Sequence, residues 1–128
     1  PYQKLECFHE SILTFDKGKN YEYIKSDMPP IGIVKYFTES MVKSKTISLK
    51  DKTFVVYTDG VTEGYLKNGE ELGAEGVQNI INSIENINPK NIVLGIEKEL
   101  NWGAEKLRDD ITCMAINIEN TDLIKKTK

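Results

Sequence analysis

The chain has 128 residues, 39% of them hydrophobic and 29% charged, with a formal net charge of −3; that suits one domain with a real core and is short for two. No apolar run approaches the roughly 20 residues needed to cross a bilayer, no basic stretch leads into an apolar segment as in a signal peptide, and a pI near 5.3 leaves no electrostatic footprint for nucleic acid. A soluble cytoplasmic protein, or the cytoplasmic part of one, with no membrane contact by this segment, is the expectation.

The first half reads as β. Residues 4–8 (KLECF) alternate, and SILTFD (11–16) reaches the turn DKGK, where Gly18 can take a positive φ. NYEYIK (20–25) sets Tyr21, Tyr23 and Lys25 against Glu22 and Ile24. SDMPPIGIV (26–34) carries two prolines and a glycine, which predicts a rigid loop. KTISLK (45–50) alternates again and predicts a further strand. TFVVYT (53–58) is a nearly continuous apolar run, as expected of a strand covered on both faces.

The second half turns helical. From Ala74, the residues Val77, Ile80, Ile81, Ile84 and Ile87 follow the i, i+3, i+4, i+7 rule. Asn88-Pro89 is a helix start, with Asn as N-cap and Pro in the first turn. The next stripe is Ile92, Val93, Ile96 and Leu100, with Gly103 as the stop. DITCMAINI (110–118) returns to strand, apolar on both faces and therefore expected in a central position. Residues 120–128 are polar and predict a flexible tail, leaving 1–119 as the folded part. Strands, then helices, then one closing strand predict an α+β fold with helices stacked on a mainly antiparallel sheet.

Chemistry must lean on carboxylates, of which there are 20. The single histidine, His9, excludes a multi-histidine metal site and reads as a structural hydrogen-bonding residue; it is also the one candidate base for a Ser-His or Cys-His pair. Cys7 and Cys113 read as reduced, buried thiols. Asp59 ends one apolar strand, and Asp109-Asp110 begins another. If those strands are antiparallel neighbours, the acids converge at one sheet edge. Converging carboxylates repel unless cations or protons separate them, and Mg²⁺ or Mn²⁺ suits an all-oxygen site that keeps several waters. Glu63, four residues after Asp59, is a further acid for the same edge. Asp-Gly between β segments is equally the strongest short hairpin signal, so residues alone leave turn and metal ligand both open.

Taken together, LKDKTFVVYTDGVTEGYLKNGEELG (49–73) and DDITCMAINI (109–118) resemble the metal-dependent protein serine/threonine phosphatases (the PPM family), in the bacterial branch typified by the stage II sporulation E phosphatase. MPPIGIV (28–34) is similar to that branch's Pro-Leu/Ile-Gly-Ile loop, and CFHESIL (7–13), more loosely, to its Ala-Gly-His segment. The resemblance implies antiparallel β-sheets flanked by helices, an αββα sandwich with two Mn²⁺ or Mg²⁺ ions at one end in the intact domain. It assigns Asp59 and Asp109 as metal ligands, Asp110 and Glu63 as accessory acids, and Gly60 as the residue that lets the chain turn away from the metal edge. The implied reaction is hydrolysis of phosphoserine or phosphothreonine by metal-activated water, without a phosphoenzyme. The implied partner is a regulatory phosphoprotein of the anti-sigma-factor-antagonist type. The family's upstream Gly-Asp motif has no counterpart, because no Gly-Asp pair occurs in the chain. The expectation is therefore a C-terminal part of such a domain, a front-truncated portion inactive by itself; Pro1 as first residue fits that. The alternative is a non-catalytic, pseudophosphatase-like module that binds a regulatory protein through the same surface.

Overall fold

Apolar alternation pairs the first two described strands into a hairpin, β1 (Ile12–Asp16) and β2 (Tyr21–Ile24), with Leu13 opposite Tyr23 and Phe15 opposite Tyr21. The computed structural model describes residues 11–25, 32–36, 38–42, 44, 46–100 and 110–118. In the hairpin turn the positive φ falls on Lys19 (58°), not on Gly18 as the sequence suggests. The Asp16 carboxylate explains this, because it accepts from the backbone N–H of Asn20 at 3.1 Å and its side-chain amide at 2.9 Å. Gly18 supplies room instead: a Cβ there would sit 3.2 Å from both Asp16 Oδ1 and Asn20 Nδ2.

Two further strands, β3 (Lys52–Tyr57) and β4 (Cys113–Asn117), complete an antiparallel sheet in the order β2-β1-β3-β4. β3 takes β1 on one side and β4 on the other, with Leu13 opposite Val55 and Val55 opposite Ala115. Both its edges are thereby occupied, and residues 46–49 form no strand despite their alternation. β4 was expected in a central position and instead lies at an edge of the described sheet. Its outward residues Met114 and Ile116 are 51% and 41% exposed.

Among the described residues, three helices follow β3: a single turn, α1 (Asp59–Thr62), then α2 (Gly73–Ser83) and α3 (Pro89–Leu100). The α2 stripe buries Val77, Ile80 and Ile81, and the α3 stripe buries Ile92, Ile96 and Leu100. These six meet Leu13, Phe15, Val55, Tyr57 and Val61 in one core, each fully buried aliphatic contributing about 1.5–3 kcal/mol. Gly95 lets the two helices close, since a Cβ there would lie 2.9 Å from Ile80 Cγ2. Asn88 caps α3 as its sequence predicts, its Oδ1 accepting the Asn91 N–H at 2.9 Å. Tyr21 ties the hairpin to α2 by donating to Asn82 Oδ1 at 2.7 Å, and Lys19 donates to the Asn82 carbonyl at 3.1 Å.

The fold class is α+β, with helices on one face of an antiparallel sheet. The described residues contain one sheet, so the second layer of the expected sandwich is not among them. Residues 4–8, most of the proline loop, Gly103 and the tail 120–128 lie outside the described residues. No helix among the described residues is long and apolar enough to cross a membrane.

Candidate metal centre

β3 delivers the chain to the site. After Tyr57, Thr58 stays extended (φ −87°, ψ 165°) and Asp59 opens α1, whose turn closes with the Glu63 N–H on the Asp59 carbonyl at 2.8 Å. Val61 is fully buried and anchors this turn from below; Asp59 is left half-buried and Glu63 exposed. Thr62 supports the turn from its inner side, its hydroxyl donating to the Asp59 carbonyl at 3.2 Å. Asp59-Gly60 is thus not the loop of a hairpin. The next pairing comes later, in the bridge between Tyr65 and Glu71 around a turn at Gly69 (φ 85°).

β3 and β4 run antiparallel, with Tyr57 opposite Cys113, so the end of one strand lies against the start of the other. The contact is closest at Gly60. A Cβ on Gly60 would lie 2.3 Å from the carbonyl oxygen of Asp110 and 3.0 Å from its carbonyl carbon. Glycine is therefore required here for close backbone approach, not for a left-handed turn. The same approach holds Gly64 against α3, where a Cβ would meet Leu100 Cδ2 at 2.7 Å. Thr58 joins the two segments directly: its N–H donates to the Thr112 carbonyl at 3.0 Å, its hydroxyl donates to the Asp110 carbonyl at 3.3 Å, and the hydroxyl accepts the Thr112 N–H at 3.2 Å.

The structure thus brings Asp59, Gly60 and Asp110 to one edge, with Glu63 one turn further along α1. Asp109, the second ligand expected from the sequence, lies outside the described residues, as do His9 and Cys7. Among the described residues, no cation or hydrogen-bond donor neutralises the Asp59 carboxylate, and no group of three or more His, Cys, Asp or Glu gathers in one place. The carboxylates of Asp59 and Asp110 are oxygen donors of the kind a hard divalent cation takes, and the backbones that carry them come into close contact at Gly60. Cys113 is a free thiol, and burial pushes its pKa up to about 11; it stays protonated at neutral pH and serves as packing. Thr58 carried no assigned role in the sequence. The signal available there was a hydroxyl immediately before Asp-Gly, matched by Thr112 in the closing strand.

The family model described as stage II sporulation protein E matches residues 5–119. The chain belongs to that family. Among solved structures, the SiaA-PP2C domain of Pseudomonas aeruginosa is similar in fold, with a TM-score of 0.60 and 18% identity, over 87% of this chain and 44% of that one. This stage II sporulation protein E family chain therefore spans less than half the length of the solved chain it matches. No curated protein matches the sequence. The family is of the PPM phosphatase type, and the solved domain shares this chain's fold.

Proposed function

We propose that this chain is part of a metal-dependent protein phosphatase domain acting on phosphoserine or phosphothreonine in a regulatory phosphoprotein. The observation that carries the reading is the approach of the Asp59 turn to the Asp110 backbone, possible only because residue 60 has no side chain. In this reading Asp59 and Asp109 hold Mn²⁺ or Mg²⁺, with Asp110 and Glu63 as accessory acids. A bound divalent cation supplies Lewis acidity toward a phosphoryl group and a water acidified to near neutrality.

The residues of this chain do the rest by position. Val61 seats the turn in the core, Thr58 joins it to the start of β4, and Gly60 keeps the gap between the two narrow. Positioning of this kind dominates phosphoryl transfer, where a misplacement of about 1 Å can cost about 100-fold. A small phosphorylated anti-sigma-factor antagonist in the cytoplasm is the substrate this reading favours. A second reading is a non-catalytic module that binds such a protein; absence of the family's Gly-Asp motif from the full-length protein would favour it, and its presence there would favour the enzyme.

Calorimetric titration with Mn²⁺, beside Asp59→Asn, tests the site. The reading expects binding by the parent chain and its loss in the variant, with the thermal midpoint nearly unchanged because Asp59 lies outside the core. Equal binding by both would remove Asp59 from the site. In the intact protein, Asp59→Asn and Asp109→Asn are each expected to abolish Mn²⁺-dependent release of phosphate. An intact protein that binds the phosphoprotein without releasing phosphate would favour the second reading.

A further inference from the structure

Thr58 stands at the N-cap of α1, where a threonine ordinarily turns its oxygen onto a backbone N–H of the first helical turn. This one makes no side-chain cap hydrogen bond. Its hydroxyl reaches across to the neighbouring strand, donating to the Asp110 carbonyl at 3.3 Å and accepting the Thr112 N–H at 3.2 Å. Both capacities of the hydroxyl, donor and acceptor, are directed at the segment that carries the second acidic group. The strand ladder does not supply these bonds. Its last paired residues are Tyr57 and Cys113, and Asp110 and Thr112 lie beyond them.

Without the hydroxyl, the Thr58 N–H on the Thr112 carbonyl is the one bond Thr58 retains to residues 110–112. Close approach at Gly60 makes the gap narrow, but a bare glycine has nothing with which to fix the two segments lengthwise. The hydroxyl bridges the main chain of residues 110 and 112 at once, and so sets that register.

We propose that Thr58 is a positioning residue of the acidic edge: its hydroxyl holds the start of β4 in the register that keeps Asp110 beside the Asp59 turn, so that the acids of the two segments can serve one divalent cation. The proposal rests on the reading of those acids as cation ligands. Groups that orient ligands in this way typically cost about 10–100-fold in metal affinity when removed.

Thr58→Val removes the hydroxyl and keeps the β-branched shape, Thr58→Ser restores the hydroxyl, and Asp59→Asn is the control. Two measurements on the full chain suffice, Mn²⁺ affinity by calorimetry and exchange of the Thr112 amide hydrogen without metal. In Thr58→Val the affinity should fall by about tenfold or more and the Thr112 amide should exchange faster, whereas Thr58→Ser should match the parent in both. Near-parental Mn²⁺ affinity in Thr58→Val, with binding lost in Asp59→Asn, overturns the role of Thr58 and leaves the Asp59 assignment standing. A fall in Thr58→Ser as deep as in Thr58→Val also overturns it, because the hydroxyl is then not the agent. Unchanged Thr112 exchange in Thr58→Val overturns the clasp whatever the metal does. A folded parent chain that ignores Mn²⁺, or an Asp59→Asn chain that binds as the parent does, removes the cation site and the proposal with it.

Discussion

The helix-covered face of the sheet and its acidic edge are held by different physics. On the face, Leu13, Phe15, Val55 and Tyr57 meet the stripes of α2 and α3, and stability comes from many interchangeable apolar contacts. At the edge, a few directional features set the geometry: the three hydrogen bonds of Thr58 and the missing side chain of Gly60. A face of the first kind tolerates volume-conserving exchange and fails when a charge enters it. An edge of the second kind fails when one atom is added or removed, even while the fold stands. The contrast separates residues that answer for stability from residues that answer for function.

Ile80→Asp should break the face and show the largest effect. Ile80 is buried between α2 and Gly95 of α3, and an unpaired carboxylate there has no partner, so a loss above about 4 kcal/mol is expected. A denaturant titration showing a stable parent and an unfolded variant checks it. Gly60→Ala tests the edge and gives the comparison a sign. Helix propensity alone favours alanine in α1 by about 1 kcal/mol, but the added Cβ meets a backbone carbonyl that cannot rotate away. Destabilisation by about 1–3 kcal/mol is expected, together with weakened Mn²⁺ binding. A variant more stable than the parent would show that the two backbones are free to separate.

The face was far more legible in sequence than the edge. The spacing of Val77, Ile80 and Ile81, and of Ile92, Ile96 and Leu100, specifies both helices because a 3.6-residue period is a local property. Asn88-Pro89 marked the start of α3 for the same reason. Strand neighbours are not local. KTISLK alternates as a strand does, yet β3 already has a partner on each side, and β4 is apolar on both faces yet lies at the described edge. Gly60 shows the limit most clearly. Its sequence context suggested a turn, whereas its need for no side chain comes from Asp110, distant in sequence and adjacent only through strand pairing. Resemblance to the phosphatase family supplied an expected role for Asp59 and Asp109, with Asp110 as an accessory acid, and gave none to Thr58.

Between the two extremes lie local hydrogen bonds that stabilise without touching either region. Asn88→Ala removes the acceptor of the Asn91 N–H and should lower stability by about 0.5–2 kcal/mol, with recovery in Asn88→Ser. Thermal melts of the three proteins rank them; equal midpoints would mean that water satisfies the helix end as well as the cap does.

The smallest effect belongs to the β1–β2 turn. Hydrogen bonds from the Asn20 side chain and then its backbone N–H hold the Asp16 carboxyl below the usual carboxylate range. A carboxylate depressed by folding favours the native state wherever the unfolded chain would take up the proton more readily. Its contribution is therefore present above an unfolded pKa of about 3.9 and is lost as the pH falls through the lower folded value. Asp16→Asn should flatten the acid side of the stability profile in that window and leave neutral-pH Mn²⁺ binding alone, since the turn lies in the β1–β2 hairpin, away from the β3–β4 edge. A denaturant series at acid and neutral pH separates the outcomes. If the variant tracks the parent down to the acid limit, the turn is held by its backbone and the Asp16 side chain adds nothing to it.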